Sequence, residues 1–216
     1  MDASALSSLF ISTEPALLPS ATALWLMLHV GWAIVLGSAV LLLGGKLASG
    51  HRWRATLLVM LWTVWPGPAS PAHWLGLAFQ SPSLTSIVIC VGWLVHQARR
   101  RQGPTDWLAQ LDLRALNIEL LLGIVLGWFL LLDTMAWLPV SLYAWGFGSS
   151  AFSTVLAFAA LLWLLRGSLA SALPLMVLAL YASSRLPTGN VWDALLDPWL
   201  WLVLQIGYLV SVVRRR

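Results

Sequence analysis

The distribution of basic residues constrains the fold of this chain more than any other feature. Of its 12 Lys and Arg residues, all but Arg185 can be placed on one side of a membrane, next to apolar runs long enough to cross it. The residues on that shared side are Lys46, Arg52, Arg54, Arg99, Arg100, Arg101, Arg114, Arg166, Arg214, Arg215 and Arg216. Because basic residues accumulate in cytoplasmic loops, this asymmetry predicts a multi-pass protein of a bacterial-type inner (plasma) membrane.

The composition supports the same class. The chain is 60% hydrophobic and 9% charged, whereas charged residues make up about 25% of a soluble domain. A soluble fold could not bury so much apolar surface, so lipid has to cover it. The basic residues lie at the ends of apolar runs rather than in one dense patch. We therefore expect membrane lipids, and not nucleic acid, as partners.

The apolar runs predict an all-α fold: a polytopic integral membrane bundle of about seven transmembrane helices in a single domain, 1–216. A helix needs about 20 residues to cross the hydrocarbon core. The predicted spans are 21–45, 55–72, 74–96, 114–136, 150–166, 168–184 and 195–213. An odd number of crossings places the N-terminus outside and the C-terminus in the cytoplasm, which agrees with every basic cluster.

Two stretches interrupt this pattern. A Pro-rich segment, 66–71, closes the second apolar run, and Gln80-Ser81-Pro82-Ser83 breaks the third. The region 55–96 therefore holds either two spans or a re-entrant segment. Further on, Thr105 suits a helix N-cap with Asp106 in the first turn, which predicts an interfacial helix over 105–113.

Ionisable residues inside the spans are candidates for an ion or proton path, because burying a charge in lipid is costly. Glu119 and Asp133 fall within about 40° of each other on one helical stripe of the fourth span. His29 lies inside the first span. The alternative is that both carboxylates reach an interface and that His29 is a satisfied core residue. No second histidine stands at matching depth and no close ligand pair exists, so neither a cofactor nor a metal site is predicted.

The outer loops hold the densest set of polar residues, which makes them the predicted outer-face site. That set is His73, Asp133, Arg185, Asn190, Asp193 and Asp197. Arg185 is the single basic residue there, so an ion pair with Asp193 or Asp197 explains it most simply. An anionic-ligand site around Arg185 is the alternative.

Small residues four apart predict close helix packing. The two motifs are Ala33-x-x-x-Gly37 and Gly123-x-x-x-Gly127. Packing inside one chain is the simpler interpretation, and a subunit interface is the alternative. The surrounding residues are similar, so an inverted repeat of three helices per unit is also possible. The chain has 15 Trp residues, many at predicted span ends, which is typical of interfacial anchoring.

Motifs of common enzyme classes are absent from the sequence, including Gly-x-Ser-x-Gly, His-Glu-x-x-His and the P-loop. No catalytic residue is therefore assigned. The first hypothesis is a non-catalytic subunit or assembly partner of a membrane complex, joined to another membrane protein or to copies of itself. The alternatives are a transporter or channel for a small or apolar solute and a lipid-modifying enzyme that works at the outer face.

Overall fold

The computed structural model describes residues 18–46, 48–99 and 117–213. Helix accounts for 81% of these described residues and none of them forms a strand, so the predicted all-α class is confirmed. The predicted interfacial helix 105–113 and the first residues of the predicted span 114–136 lie outside the described residues.

The chain divides into two compact units. The N-terminal unit is Ser20–Thr105, and the C-terminal unit joins Met1–Pro19 to Asp106–Arg216. Each unit has its own helix packing and is described separately. The prediction of a single transmembrane domain stays a prediction.

Four helices form the described part of the N-terminal unit. They are α1 (Ala21–Leu43, followed by a 3-10 turn at Gly44–Lys46), α2 (Ser49–Val64), α3 (Pro71–Phe79) and α4 (Leu84–Arg99). Ser20 begins α1 by accepting a hydrogen bond from the Ala23 N–H, and Ser70 does the same for Ala72 at the start of α3.

The helix boundaries in this unit differ from the predicted spans 55–72 and 74–96. Helix α2 ends at Val64 because the segment that follows contains Pro66 and Pro68, which cannot continue a helix. Helix α3 ends at Gln80, whose φ of 61° lies in the left-handed region. The chain becomes helical again at Leu84, so the predicted interruption is a break between two helices.

The broken pair α3–α4 runs along α1. Gly76 packs on Leu28, Pro82 and Ile87 pack on Gly31, and further along Ser38 donates to the Cys90 carbonyl at 3.4 Å. Later residues of the pair thus meet later residues of α1. The pair α3–α4 therefore runs in the same direction as α1.

Six helices form the described part of the C-terminal unit. They are α5 (Asn117–Thr134), α6 (Leu142–Trp145), α7 (Ser149–Arg166), α8 (Leu169–Ser184), α9 (Val191–Leu195) and α10 (Pro198–Val213). A tight turn joins α7 to α8: Gly167 takes the left-handed conformation with φ 60°, and Ser168 caps α8 by accepting from the Ser171 N–H.

Helices α1 and α7 are long and apolar enough to cross a membrane, which indicates membrane association. Three further segments are apolar but shorter: α4, residues 170–184 of α8, and α10. A helix of 16 residues rises about 24 Å, less than the hydrocarbon core of ~30 Å. Length and composition are thus compatible with two of the predicted crossings, at α1 and α7.

Candidate functional site

The most connected polar group in the described residues lies in the loops of the C-terminal unit. We call it the Tyr143 network; it consists of Tyr143, Thr188, Asn190 and Asp193. Both the Tyr143 hydroxyl (2.8 Å) and the Thr188 hydroxyl (2.5 Å) donate to Oδ2 of Asp193. The Asn190 side-chain amide donates to the Tyr143 carbonyl at 2.9 Å. The network therefore ties α6 to the segment between α8 and α9.

Glycine and turn chemistry bring these loops together. A Cβ at Gly146 would overlap the Asn190 side chain, so the close approach requires glycine there. The Val191 N–H donates to the Gly146 carbonyl at 3.0 Å. Gly189 has a φ of 82°, and its carbonyl accepts from the Tyr181 hydroxyl at 2.5 Å.

Asp133 lies on the same helix as Glu119, near its end, and also contacts this loop region. Its Oδ2 accepts from the Tyr143 backbone N–H at 2.6 Å and from the Ser141 hydroxyl at 3.4 Å. These bonds hold the first turn of α6 against the end of α5. Both hydrogen bonds of Asp133 are therefore to neighbouring residues of the fold.

The Tyr143 hydroxyl is held in its protonated form. Burial raises its pKa well above the ordinary value of 10.0, and the hydrogen bond to Asp193 and the charge of that carboxylate raise it further. A neutral phenol is a hydrogen-bond donor, as the Asp193 carboxylate requires. The network is therefore stable as a donor–acceptor pair at neutral pH.

Arg185 does not form the ion pair that the sequence favours. Its guanidinium carbon lies 5.6 Å from the centre of the Tyr181 ring, a cation–π contact. The carboxylates expected as partners are used elsewhere. Asp193 accepts the two hydroxyls, and Asp197 accepts from the Leu200 N–H at 2.7 Å at the start of α10.

Glu119 has an ion-pair partner that the sequence analysis did not name. Oε1 of Glu119, in the first turn of α5, lies 3.0 Å from Nε of Arg166, in the last turn of α7. The exposed fractions are 11% for the Glu119 side chain and 22% for that of Arg166, so the pair is mostly withdrawn from solvent. The Nε–H of Arg166 does not form a hydrogen bond with Oε1 of Glu119, so the contact is an ion pair alone.

The two histidine candidates lie in the N-terminal unit. His29 is buried; its Nδ1 donates to the Trp25 carbonyl at 3.0 Å, and its ring stacks on that of Trp25 at 4.2 Å. His73 lies edge-on to the Trp74 ring at 5.4 Å. His29 is thus placed as a core residue with a backbone partner, while a functional role for His73 stays a prediction.

The small-residue motifs pack inside the chain. Ala33 is buried, and a Cβ at Gly37 would lie 2.6 Å from Cγ of Met60 on α2. In the C-terminal unit, a Cβ at Gly123 would lie 2.7 Å from Cδ1 of Leu204, and one at Gly127 would overlap the Trp201 ring, both on α10. The two motifs therefore pack on non-corresponding neighbours, which does not favour an inverted repeat.

Several tryptophans bind the chain itself as well as flanking the helices. The indole N–H of Trp201 donates to the Ile124 carbonyl inside α5 at 3.1 Å, and that of Trp32 donates to the Gln80 carbonyl at the α3–α4 break at 2.8 Å. Four further indole N–H groups bind loop or helix-start acceptors: those of Trp62, Trp74, Trp145 and Trp192. The bonds of Trp32, Trp192 and Trp201 join segments 48 to 77 residues apart, so composition alone gave no signal for them.

Among the described residues, no group of three or more His, Cys, Asp or Glu side chains is placed to hold a metal ion. Comparison of the chain with protein-family models, with curated proteins and with solved structures finds no match. The function has to be inferred from the chain's own residues.

Proposed function

We propose that this chain is a non-catalytic integral subunit, or an assembly partner, of an inner-membrane protein complex. The observation that carries the proposal is that all four acidic side chains in the described residues bind groups of the fold itself. Glu119 pairs with Arg166, Asp133 and Asp193 bind loop donors, and Asp197 caps α10. A catalytic or ion-carrying carboxylate has to exchange partners with its substrate, so this engagement favours a structural role.

The proposed architecture has seven crossings, with the N-terminus outside and the C-terminus in the cytoplasm. The crossings are α1, α2, the broken pair α3–α4, α5, α7, α8 and α10. The Glu119–Arg166 pair supports this arrangement, because it joins the start of α5 to the end of α7. Two successive helices that run in opposite directions bring those two ends to the same face.

Short helices are compatible with this arrangement. The shortfall of a 16-residue helix can be met by local thinning of the bilayer and by flanking residues that reach the headgroups. Such residues lie near the ends of several helices, among them Trp53 and Arg54 on α2 and Trp199 on α10. Membrane lipids, together with a partner protein or further copies of the chain, would cover the exposed apolar faces.

One observation favours a transporter or channel as the second candidate. The α3–α4 break lies against Trp32, the middle residue of α1, and helices broken at mid-depth are typical of transporter sites. However, the polar groups at the break already have partners: Trp32 binds the Gln80 carbonyl, and the Ser83 hydroxyl donates to that of Ser86 at 3.2 Å. We therefore rank this function second.

Affinity purification in a mild detergent, followed by quantitative mass spectrometry, tests the first proposal. We expect one membrane protein, or further copies of the chain, at a fixed stoichiometry. The variants His73→Ala and Asp193→Asn test the alternative of an enzyme that works at the outer face, because each removes one of its candidate residues. If the chain purifies alone, and Glu119→Gln abolishes solute uptake while the protein stays folded, the transporter function replaces the proposed one.

A further inference from the structure

The N-terminal unit carries positive charge with no internal counter-charge. The sequence from residue 20 to residue 105 contains six of the 12 Lys and Arg residues and no Asp or Glu. Those six are Lys46, Arg52, Arg54, Arg99, Arg100 and Arg101. Helices α1 and α4 run in the same direction, so the end of α1, the start of α2 and the end of α4 share one end of the unit. Anionic groups from outside the unit are needed to balance it.

The two arginines of the first turns of α2 differ in their surroundings. Arg52 is partly buried, and its Nη2 donates to the Leu41 carbonyl at 2.9 Å, near the end of α1. Arg54 is exposed and has neither a hydrogen bond nor an ion pair with the residues that the structure describes. The Arg54 guanidinium is therefore available to a ligand, whereas that of Arg52 holds two helices together.

Beyond Arg54, the same face of α2 is apolar and exposed. Leu57, Leu58 and Leu61 follow Arg54 by three, four and seven residues, which is the spacing of one helical stripe. Their exposed fractions are 56%, 67% and 69%. We call Arg54, Leu57, Leu58 and Leu61 the α2 stripe. The stripe extends about 10 Å along the helix axis, with a cation at one end and leucines over the rest.

We propose that the α2 stripe seats one anionic phospholipid, with its phosphate on the Arg54 guanidinium and an acyl chain along the leucines. A guanidinium offers paired N–H donors that match phosphate oxygens. An anionic lipid joins a phosphate directly to an acyl chain, which matches a stripe with a cation at one end and exposed leucines beyond it. The inference rests on the proposed membrane insertion, and it adds a specific lipid class and site.

Native mass spectrometry of the full chain in neutral detergent tests the seat. The purified protein is titrated with dioleoylphosphatidylglycerol or with dioleoylphosphatidylcholine. We expect the anionic lipid to be retained at one per chain. Arg54→Gln should lower the affinity for it about fivefold, since one basic residue at an anionic membrane surface contributes that much. Arg54→Lys should keep most of the binding, and Leu58→Ala should weaken both lipids.

The matched control is Arg99→Gln, an exposed arginine of the same unit with the same change in charge. It should leave the affinity within about twofold of the wild type, as expected for a residue outside the seat. An equal loss with Arg99→Gln, equal retention of the two lipids, or displacement of the lipid by excess inorganic phosphate would each overturn the proposal. Membrane fractionation and partner co-purification should be unaffected by Arg54→Gln, which separates failure of the seat from failure of the proposed function.

Discussion

The two units of this protein handle charge in opposite ways. In the C-terminal unit, Glu119 pairs with Arg166 inside the fold, and Arg185 lies over the Tyr181 ring. In the N-terminal unit, the segment 20–105 has six basic residues and no carboxylate. The described part of the C-terminal unit thus contains internal electrostatic contacts, whereas segment 20–105 has no carboxylate that could provide one.

The largest expected effect of a single substitution comes from breaking the internal ion pair. Glu119→Gln should lower the free energy of unfolding by about 2–3 kcal/mol, because it leaves Arg166 mostly buried without its carboxylate. The value is at the low end for buried pairs because Arg166 is partly exposed. Denaturant titration in detergent measures it, and the double variant Glu119→Gln/Arg166→Gln should recover part of the loss. Unchanged stability in the single variant would show that the Glu119–Arg166 pair does not stabilise the C-terminal unit.

Close helix packing gives the next effect, and it should differ between the units. Gly127→Ala forces a methyl group into the rigid Trp201 ring and should cost about 2 kcal/mol. Gly37→Ala meets the flexible Met60 side chain, which can move, so its cost should be about 1 kcal/mol. Gly207→Ala, where nothing lies within 4 Å, is the control and should be neutral or stabilising. A larger loss from Gly37→Ala than from Gly127→Ala would show that the N-terminal unit tolerates the added methyl group less well than the C-terminal unit.

The Tyr143 network should give a smaller effect with a distinct pH dependence. Tyr143→Phe removes one donor to Asp193 and should cost about 1 kcal/mol at neutral pH. Because the folded-state pKa of Tyr143 is raised above 10.0, its contribution is fully present below pH 10 and is lost as the pH rises through the folded-state value. Thermal unfolding between pH 8 and 11 should therefore show a steeper alkaline loss in the wild type than in the variant. An equal alkaline loss in the wild type and in Tyr143→Phe would contradict a stabilising role of the protonated Tyr143 hydroxyl.

The smallest effect on stability should come from Arg54, which has no ion pair or hydrogen bond with the described residues. Arg54→Gln should change the free energy of unfolding in neutral detergent by less than about 0.5 kcal/mol, as for an exposed residue without internal partners. In vesicles rich in phosphatidylglycerol the variant should lose the added stability that the wild type gains from this lipid. A large loss in neutral detergent would show that Arg54 has an internal role.

Local sequence patterns predict the helices well and their tertiary partners poorly. The apolar runs place α1 inside the predicted span 21–45 and α7 close to 150–166. The break after Phe79 follows from the Gln80-Ser81-Pro82-Ser83 segment. These features depend on neighbours within a few residues, which periodicity and proline chemistry describe directly.

The contacts that define the candidate site join residues far apart in sequence. Tyr143 and Asp193 are 50 residues apart, and Tyr143 and Asn190 are 47 apart. No local pattern encodes such pairs. A partial signal existed for Glu119 and Arg166, since consecutive predicted spans of opposite direction bring the start of one and the end of the next to the same face. The ion pair expected for Arg185 does not form: Arg185 lies over the Tyr181 ring, and the two carboxylates bind hydroxyl and backbone donors.

The hydrogen bond from Trp32 to Gln80 has a consequence for how the protein is made. With nine residues, α3 is too short to enter a membrane as an independent segment. The carbonyl exposed at its end would also oppose insertion unless a donor were in place. Helix α1 is synthesised first and carries that donor at its midpoint. In the proposed membrane-inserted fold, α1 would therefore provide a partner for α3, which could not be inserted by itself.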